Sequence, residues 1–155
     1  FGMNVIVYDR SPEKKKKDPK IMTDEIEFVE KKELFKKADV ISLHCPLTEE
    51  TKGLINKESI ELMKDGVIII NTSRGPVIVE EDLAAALEEG KVFALGADVL
   101  SSEPPKEDNP LLNSDKAVIT PHIAWATKEA RERLMETVVD NIKCYLEGEV
   151  KNSVL

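Results

Sequence analysis

Cysteine is nearly absent, and Cys45 and Cys144 stand far apart, with neither metal-ligand nor redox spacing. They are expected as reduced thiols of a cytoplasmic protein. Long apolar runs are missing too. None approaches the ~18 residues of a membrane span, and no signal-peptide pattern opens the chain. Nor is there an excess of positive charge: 22 Lys and Arg face 30 Asp and Glu, a formal charge of −8. That balance argues against a nucleic-acid partner, which favours a basic surface. The one basic run, Lys14-Lys15-Lys16-Lys17, is diluted by acidic neighbours and is expected on a solvated loop or helix face. Finally, the seven glycines, at 2, 53, 66, 75, 90, 96 and 148, contain no G-x-G spacing. The chain opens at Phe1 without a methionine, as a fragment or a processed chain would.

What remains is a globular composition, 41% hydrophobic and 34% charged over 155 residues. Such a chain buries about two-thirds of its unfolded surface in one domain. The most telling stretch is Gly66-Val67-Ile68-Ile69-Ile70-Asn71-Thr72-Ser73-Arg74-Gly75-Pro76. Four β-branched residues predict a strand buried on both faces of a parallel sheet. Its carboxyl end is a polar crest carrying Arg74, a fixed planar cation.

Similar strands are predicted at 3–8, 27–29, 40–44, 92–99 and 117–120. Residues 10–26 read as a loop with at most a short helix. Helices are predicted at 31–38, at 57–64 with Ile60, Leu62 and Met63 inward, and from Glu80 to a stop at Gly90. The last runs from Thr127, an N-cap, to about Glu147, with Gly148 as its stop. Strands alternating with helices predict an α/β fold with a parallel, helix-covered sheet. Each main strand ends on a polar residue: Asp9, His44, Arg74, Asp98, His122. In a parallel sheet these ends share one edge, where ligands bind.

Asp9 stands where a dinucleotide fold places the acid that accepts from ribose hydroxyls, although an acid after a strand is commonplace. The glycine-rich turn that normally accompanies it lies about 20 residues upstream, which is before Phe1. Asp9 is therefore either without meaning or the sign of a missing first strand. His122 follows Thr-Pro, and Glu103 sits on the preceding loop. A carboxylate paired with imidazole holds its tautomer and suits it to proton transfer near neutral pH. Arg74 fits a bidentate carboxylate clamp, or equally a surface ion pair. Together the three form a set for reducing a 2-keto acid with a nicotinamide hydride. Cys45 has no evident base and is not expected to be a nucleophile. Trp125 is open between helix-start packing and the wall of a substrate pocket.

The blocks Asp39-Val40-Ile41-Ser42-Leu43-His44-Cys45-Pro46-Leu47-Thr48, Asn71-Thr72-Ser73-Arg74-Gly75-Pro76, Gly96-Ala97-Asp98-Val99 leading to Glu103-Pro104, and Thr120-Pro121-His122-Ile123-Ala124-Trp125-Ala126-Thr127 resemble the cofactor domain of D-isomer-specific 2-hydroxyacid dehydrogenases. The likeness runs from about Met3 to Gly148 and is nearest the glycerate dehydrogenase (hydroxypyruvate reductase) branch. It implies a Rossmann-like parallel sheet with helices on both faces, lacking its first strand and Gly-rich turn. Residues 1–150 would be a partial dinucleotide-binding domain and 151–155 a C-terminal tail, with the substrate domain absent.

By the same resemblance His122 would be the general acid/base, Glu103 its carboxylate partner and Arg74 the substrate clamp. Asp98 would hold the nicotinamide carboxamide and Asp9 the adenosine ribose. That favours NAD over NADP, a preference that Arg10 weakens. Cys45, Pro46, Thr51, Thr72, Ser73 and Ala124 match cofactor-lining positions. Val79 stands where the family commonly has Asp or Asn, so the next helix lacks that cap. The implied partners are a small 2-keto or 2-hydroxy acid and a second copy or complementing chain, with no membrane or nucleic acid. Without the first strand, Val5–Tyr8 and Val40–His44 would flank a gap with unpaired backbone. The alternative expectation is a non-catalytic structural or dimerising module.

Overall fold

The computed structural model describes residues 2–15 and 26–153. The expectations for Phe1, for Lys16, Lys17 and the rest of the loop over 16–25, and for the last two residues of the tail lie outside the described residues. Two units are distinguished, Phe1–Ile119 and Thr120–Leu155.

In the first unit, β1 (Val5–Val7), α1 (Pro12–Lys15), β2 (Ile26–Phe28) and α2 (Lys31–Lys37) lead into β3 (Val40–Leu43). Then follow α3 (Lys57–Leu62), β4 (Val67–Asn71), α4 (Glu80–Glu89), β5 (Val92–Ala97) and β6 (Ala117–Ile119), with 3-10 turns at Gly75–Val77 and Pro110–Asn113. All six expected strands are present, each within about two residues of its predicted limits at most ends. Every pairing is parallel, in the orders β1-β2 and β3-β4-β5-β6. Among the described residues nothing pairs with the outer edge of β1 or of β3. This is the split expected of a sheet without its central strand. Ile6 packs against the core, and Arg10 Nη1 meets Glu50 Oε2 at 3.3 Å.

The core lies on one side of the four-stranded sheet. Ile41, Leu43, Val67, Ile69, Leu95 and Ala97 pack with Phe35, Ile60, Met63, Leu83, Ala86 and Leu87 from α2 to α4. These helices also touch one another, forming one layer. The expectation that residues 67–70 are buried on both faces is therefore corrected. Val67 and Ile69 are buried, while Ile68 and Ile70 are half-buried, because the α2–α4 layer covers only alternate residues of a period-2 strand. Leu62, expected inward, is exposed. Helix α3 ends there, and Met63 fills the inward place as its C-cap. Asn56 and Ser59 close a reciprocal capping box at its start. Gly90 ends α4 at φ 80°, and Val79 opens it without a side-chain cap, as anticipated.

The second unit holds α5 (Lys128–Leu146), capped by Thr127, whose hydroxyl accepts from Ala130 N at 3.2 Å. After Gly148 (φ 81°) the chain turns back, pairing Lys151 with Asp140 and Asn152 with Asn141. The apolar stripe of α5, including Met135, Val138, Val139 and Ile142, is exposed. Among the described residues no helix is long and apolar enough to cross a membrane.

Candidate functional site

The crest after β4 is built by one buried side chain. Asn71 is fully buried, and its Oδ1 accepts from both the N–H and the hydroxyl of Ser73 at 3.0 Å. Its Nδ2 donates to the Arg74 carbonyl at 3.1 Å. Inward polarity at the end of an apolar strand thus costs nothing, since each polar atom is paired. Arg74 stays exposed, its Nη1 donating to the Ser73 carbonyl at 2.7 Å. Gly75 lies so close to the chain after β5 that a Cβ would sit 1.9 Å from the Leu100 carbonyl oxygen. Only glycine allows that approach.

His44, Cys45, Pro46, Leu47, Ser73 and Arg74 line a cavity of about 500 Å³ at the ends of β3 and β4. Parallel strands bring these two stretches together although some 27 residues separate them. Four expected site residues, Cys45, Pro46, Ser73 and Arg74, share this cavity. Thr51 shapes its loop: its hydroxyl donates to the Pro46 carbonyl at 2.6 Å and accepts from Thr48 N at 2.8 Å. Ser42 Oγ and His44 Nε2 are hydrogen-bonded at 2.8 Å. Burial pushes the Cys45 thiol above the ordinary range, so it is protonated at neutral pH and suited to lining rather than attack. Thr72 is exposed on the crest.

Asp98, directly after β5, is buried, and its N–H donates to the Asn71 carbonyl at 2.9 Å. Asp9 ends β1 differently. Its Oδ1 accepts from Ser11 N at 2.6 Å, a turn that holds the carboxylate at the strand end. Arg10 reaches toward Glu50, an exposed pair. Glu103 is exposed on the Ser101–Asn109 loop.

That loop is anchored by Glu80, which the sequence marked only as the start of a helix. Glu80 is buried, and its carboxylate accepts from Ser101 N (2.7 Å), Ser101 Oγ (2.6 Å) and Asn109 Nδ2 (2.9 Å). No local spacing signals this role. The partners lie 21 and 29 residues away.

His122 and Ala124 belong to the second unit, both exposed. His122 has φ 55°, in the left-handed region. For an L-residue this costs about 1–2 kcal/mol, which two hydrogen bonds of about 1 kcal/mol each offset. The His122 N–H donates to the Thr120 carbonyl at 3.0 Å, and Trp125 Nε1 donates to the His122 carbonyl at 2.9 Å. Strained backbone of this kind gathers at functional sites.

Parallel strands whose polar carboxyl ends surround a cavity define an α/β domain of the dinucleotide-binding class. More particularly, residues 1–124 match the NAD-binding domain of the D-isomer specific 2-hydroxyacid dehydrogenases, and the chain belongs to that family. It is 52% identical over 154 residues to a hydroxypyruvate reductase of Blautia hydrogenotrophica, covering 99% of this chain and 46% of that protein. Among solved structures it resembles D-lactate dehydrogenase from Aquifex aeolicus complexed with NAD and lactic acid. That match has a TM-score of 0.81 and 37% identity, over 96% of this chain and 47% of that one. It also resembles an acyclic imino acid reductase in complex with NADPH and D-Arg, with a TM-score of 0.82 and 34% identity, over 99% and 46%. The chain spans about half the length of the curated relatives it matches.

Proposed function

We propose that this chain is the NAD-binding part of an oxidoreductase interconverting a small D-2-hydroxy acid and its 2-keto acid, of the glycerate/hydroxypyruvate type. The observation that carries the reading is Arg74, exposed on a rigid crest beside a cavity of about 500 Å³. A guanidinium so placed grips a carboxylate through two parallel hydrogen bonds. His122 protonates the carbonyl oxygen on reduction and takes the proton back on oxidation, with Glu103 holding the imidazole tautomer. Asp98 holds the nicotinamide carboxamide, Asp9 the adenosine ribose, and Cys45, Pro46, Thr51, Thr72, Ser73 and Ala124 line the dinucleotide. The bound nicotinamide supplies the hydride. NAD is favoured over NADP by the carboxylate of Asp9, which repels a 2′-phosphate; Arg10, already paired with Glu50, offsets little of that.

The 155 residues alone neither hold NAD tightly nor turn over, because among the described residues β1 and β3 each keep one edge without a strand partner. A second copy or a complementing chain completes them. The test is a chimera in which this chain replaces the matching half of the Blautia enzyme. It should oxidise NADH with hydroxypyruvate, and His122→Gln should lower that rate about 10²-fold or more. A folded chimera that binds NADH but reduces no 2-keto acid overturns the assignment.

The split between β1-β2 and β3–β6 favours one second reading, a structural module without catalysis. Calorimetry with NADH discriminates. A module gives no heat, either as the isolated chain or in the chimera.

A further inference from the structure

Trp125 is the only tryptophan of the chain, and it is 55% exposed, so burial of its ring does not account for its place. What it does contribute is a single directed bond, Nε1–H to the His122 carbonyl at 2.9 Å. His122 and Asn152 are the only non-glycine residues with positive φ among those described. The Ala126 N–H donates to the Ile123 carbonyl at 2.9 Å, closing a turn with Ala124 and Trp125 at its centre. That turn carries the indole back over the residue three positions before it. The two peptide groups flanking the His122 α-carbon are therefore both tied. The N–H on one side bonds the Thr120 carbonyl, and the C=O on the other accepts from the indole.

We propose that Trp125 is a positioning residue for His122: its indole N–H holds the left-handed backbone there, and so sets the direction in which the imidazole leaves the chain. The proposal rests on the reading of His122 as the proton carrier of the reaction. Backbone torsion decides where a Cα–Cβ bond points, and the left-handed well is shallow for a residue with a side chain. Without the indole donor, His122 relaxes toward negative φ and its ring swings to a new direction. Packing at the helix start, or lining a pocket wall, would need only an aromatic surface at position 125. The proposed role needs the N–H.

The substitution Trp125→β-(3-benzothienyl)alanine separates these roles, since it keeps the bicyclic ring and puts sulfur where the N–H was. Trp125→Phe is the genetic companion. The readouts are hydrogen exchange of the His122 amide and the chemical shifts of the histidine ring signals by NMR. There are only two histidines, and His44→Gln assigns them. Both variants should exchange the His122 amide roughly fivefold faster, the loss expected of one hydrogen bond. Both should shift the His122 ring signals and leave those of His44 in place. The Ala130 amide, held by the Thr127 cap, should stay as protected as in the unsubstituted chain.

A benzothienyl variant with unchanged His122 exchange and ring signals overturns the proposal, because the ring alone then suffices. Ala130 losing protection in step with His122 also overturns it, since Trp125 would then be holding the helix start as a whole. In the chimera, the same variants should lower kcat more than they raise KM for hydroxypyruvate. If the NMR changes appear without that kinetic split, it is the role of His122 in the reaction that fails, not the clamp.

Discussion

Gly75 is the residue on which the crest geometry turns. A methyl group there would stand 1.9 Å from the Leu100 carbonyl, a backbone atom that cannot step aside. Gly75→Ala should therefore lower stability by about 3 kcal/mol, the upper range for overpacking, and disturb the Arg74 turn with it; urea unfolding measures the first effect. Gly96, whose Cβ would meet only the Cδ1 end of Ile70 at 2.9 Å, is the milder comparison. Cys45 supports a pH prediction. Burial raises its thiol pKa, so the fold favours the neutral form. Any stability tied to that thiol is present below the ordinary thiol range and falls as pH rises through the raised value. Iodoacetamide should accordingly modify Cys45 more slowly at neutral pH than a free thiol, with a rate still climbing beyond the usual thiol midpoint. A neutral-pH rate equal to that of a free thiol would contradict this. At this scale the places of Cys45, Ser73 and Arg74, a few residues past the ends of β3 and β4, were legible in the chain, because the apolar runs stop there. The left-handed conformation of His122 was not, since nothing in Thr-Pro-His-Ile specifies φ.

Among the elements, α4 does more than cover the sheet. Through Glu80 it holds the loop that carries Glu103, two segments that share no sequence pattern. Glu80→Ala would leave the buried Asn109 side chain and Ser101 N–H without their acceptor, costing about 1–3 kcal/mol. Glu80→Gln should be nearly as harmful, because an NH2 would then face a donor. Hydrogen exchange at Ser101 should rise in both variants, while Leu83 and Leu87, deep in the core, keep their α4 amides protected. The existence and order of the helices were readable from 3.6-residue spacing and from Thr127 as a start signal and Gly90 as a stop. The inward turn of Glu80 was not, since an acid in a first turn is already explained by the helix dipole.

For the whole molecule, the split sheet carries the main consequence. A two-stranded parallel pair is marginal by itself, whereas β4 and β5 are paired on both edges. Hydrogen exchange should therefore release β1 and β2 amides far earlier than those of β4 and β5. Equal protection across all six strands would mean that β1 and β3 have acquired a partner in solution. Local pattern was enough to set six strands, their alternation with helices, and a polar residue at each strand end, because side-chain alternation and helix period are written in neighbouring residues. The resemblance of four short blocks to one dehydrogenase family followed from the same local text. Tertiary structure alone decided that the α2–α4 layer buries alternate residues of β4, that Cys45 and Arg74 share a cavity, and that Glu80 and Gly75 meet the chain after β5. Those contacts join residues 20 to 30 positions apart, and which distant partner meets which is settled by packing the layers together rather than by any spacing along the chain.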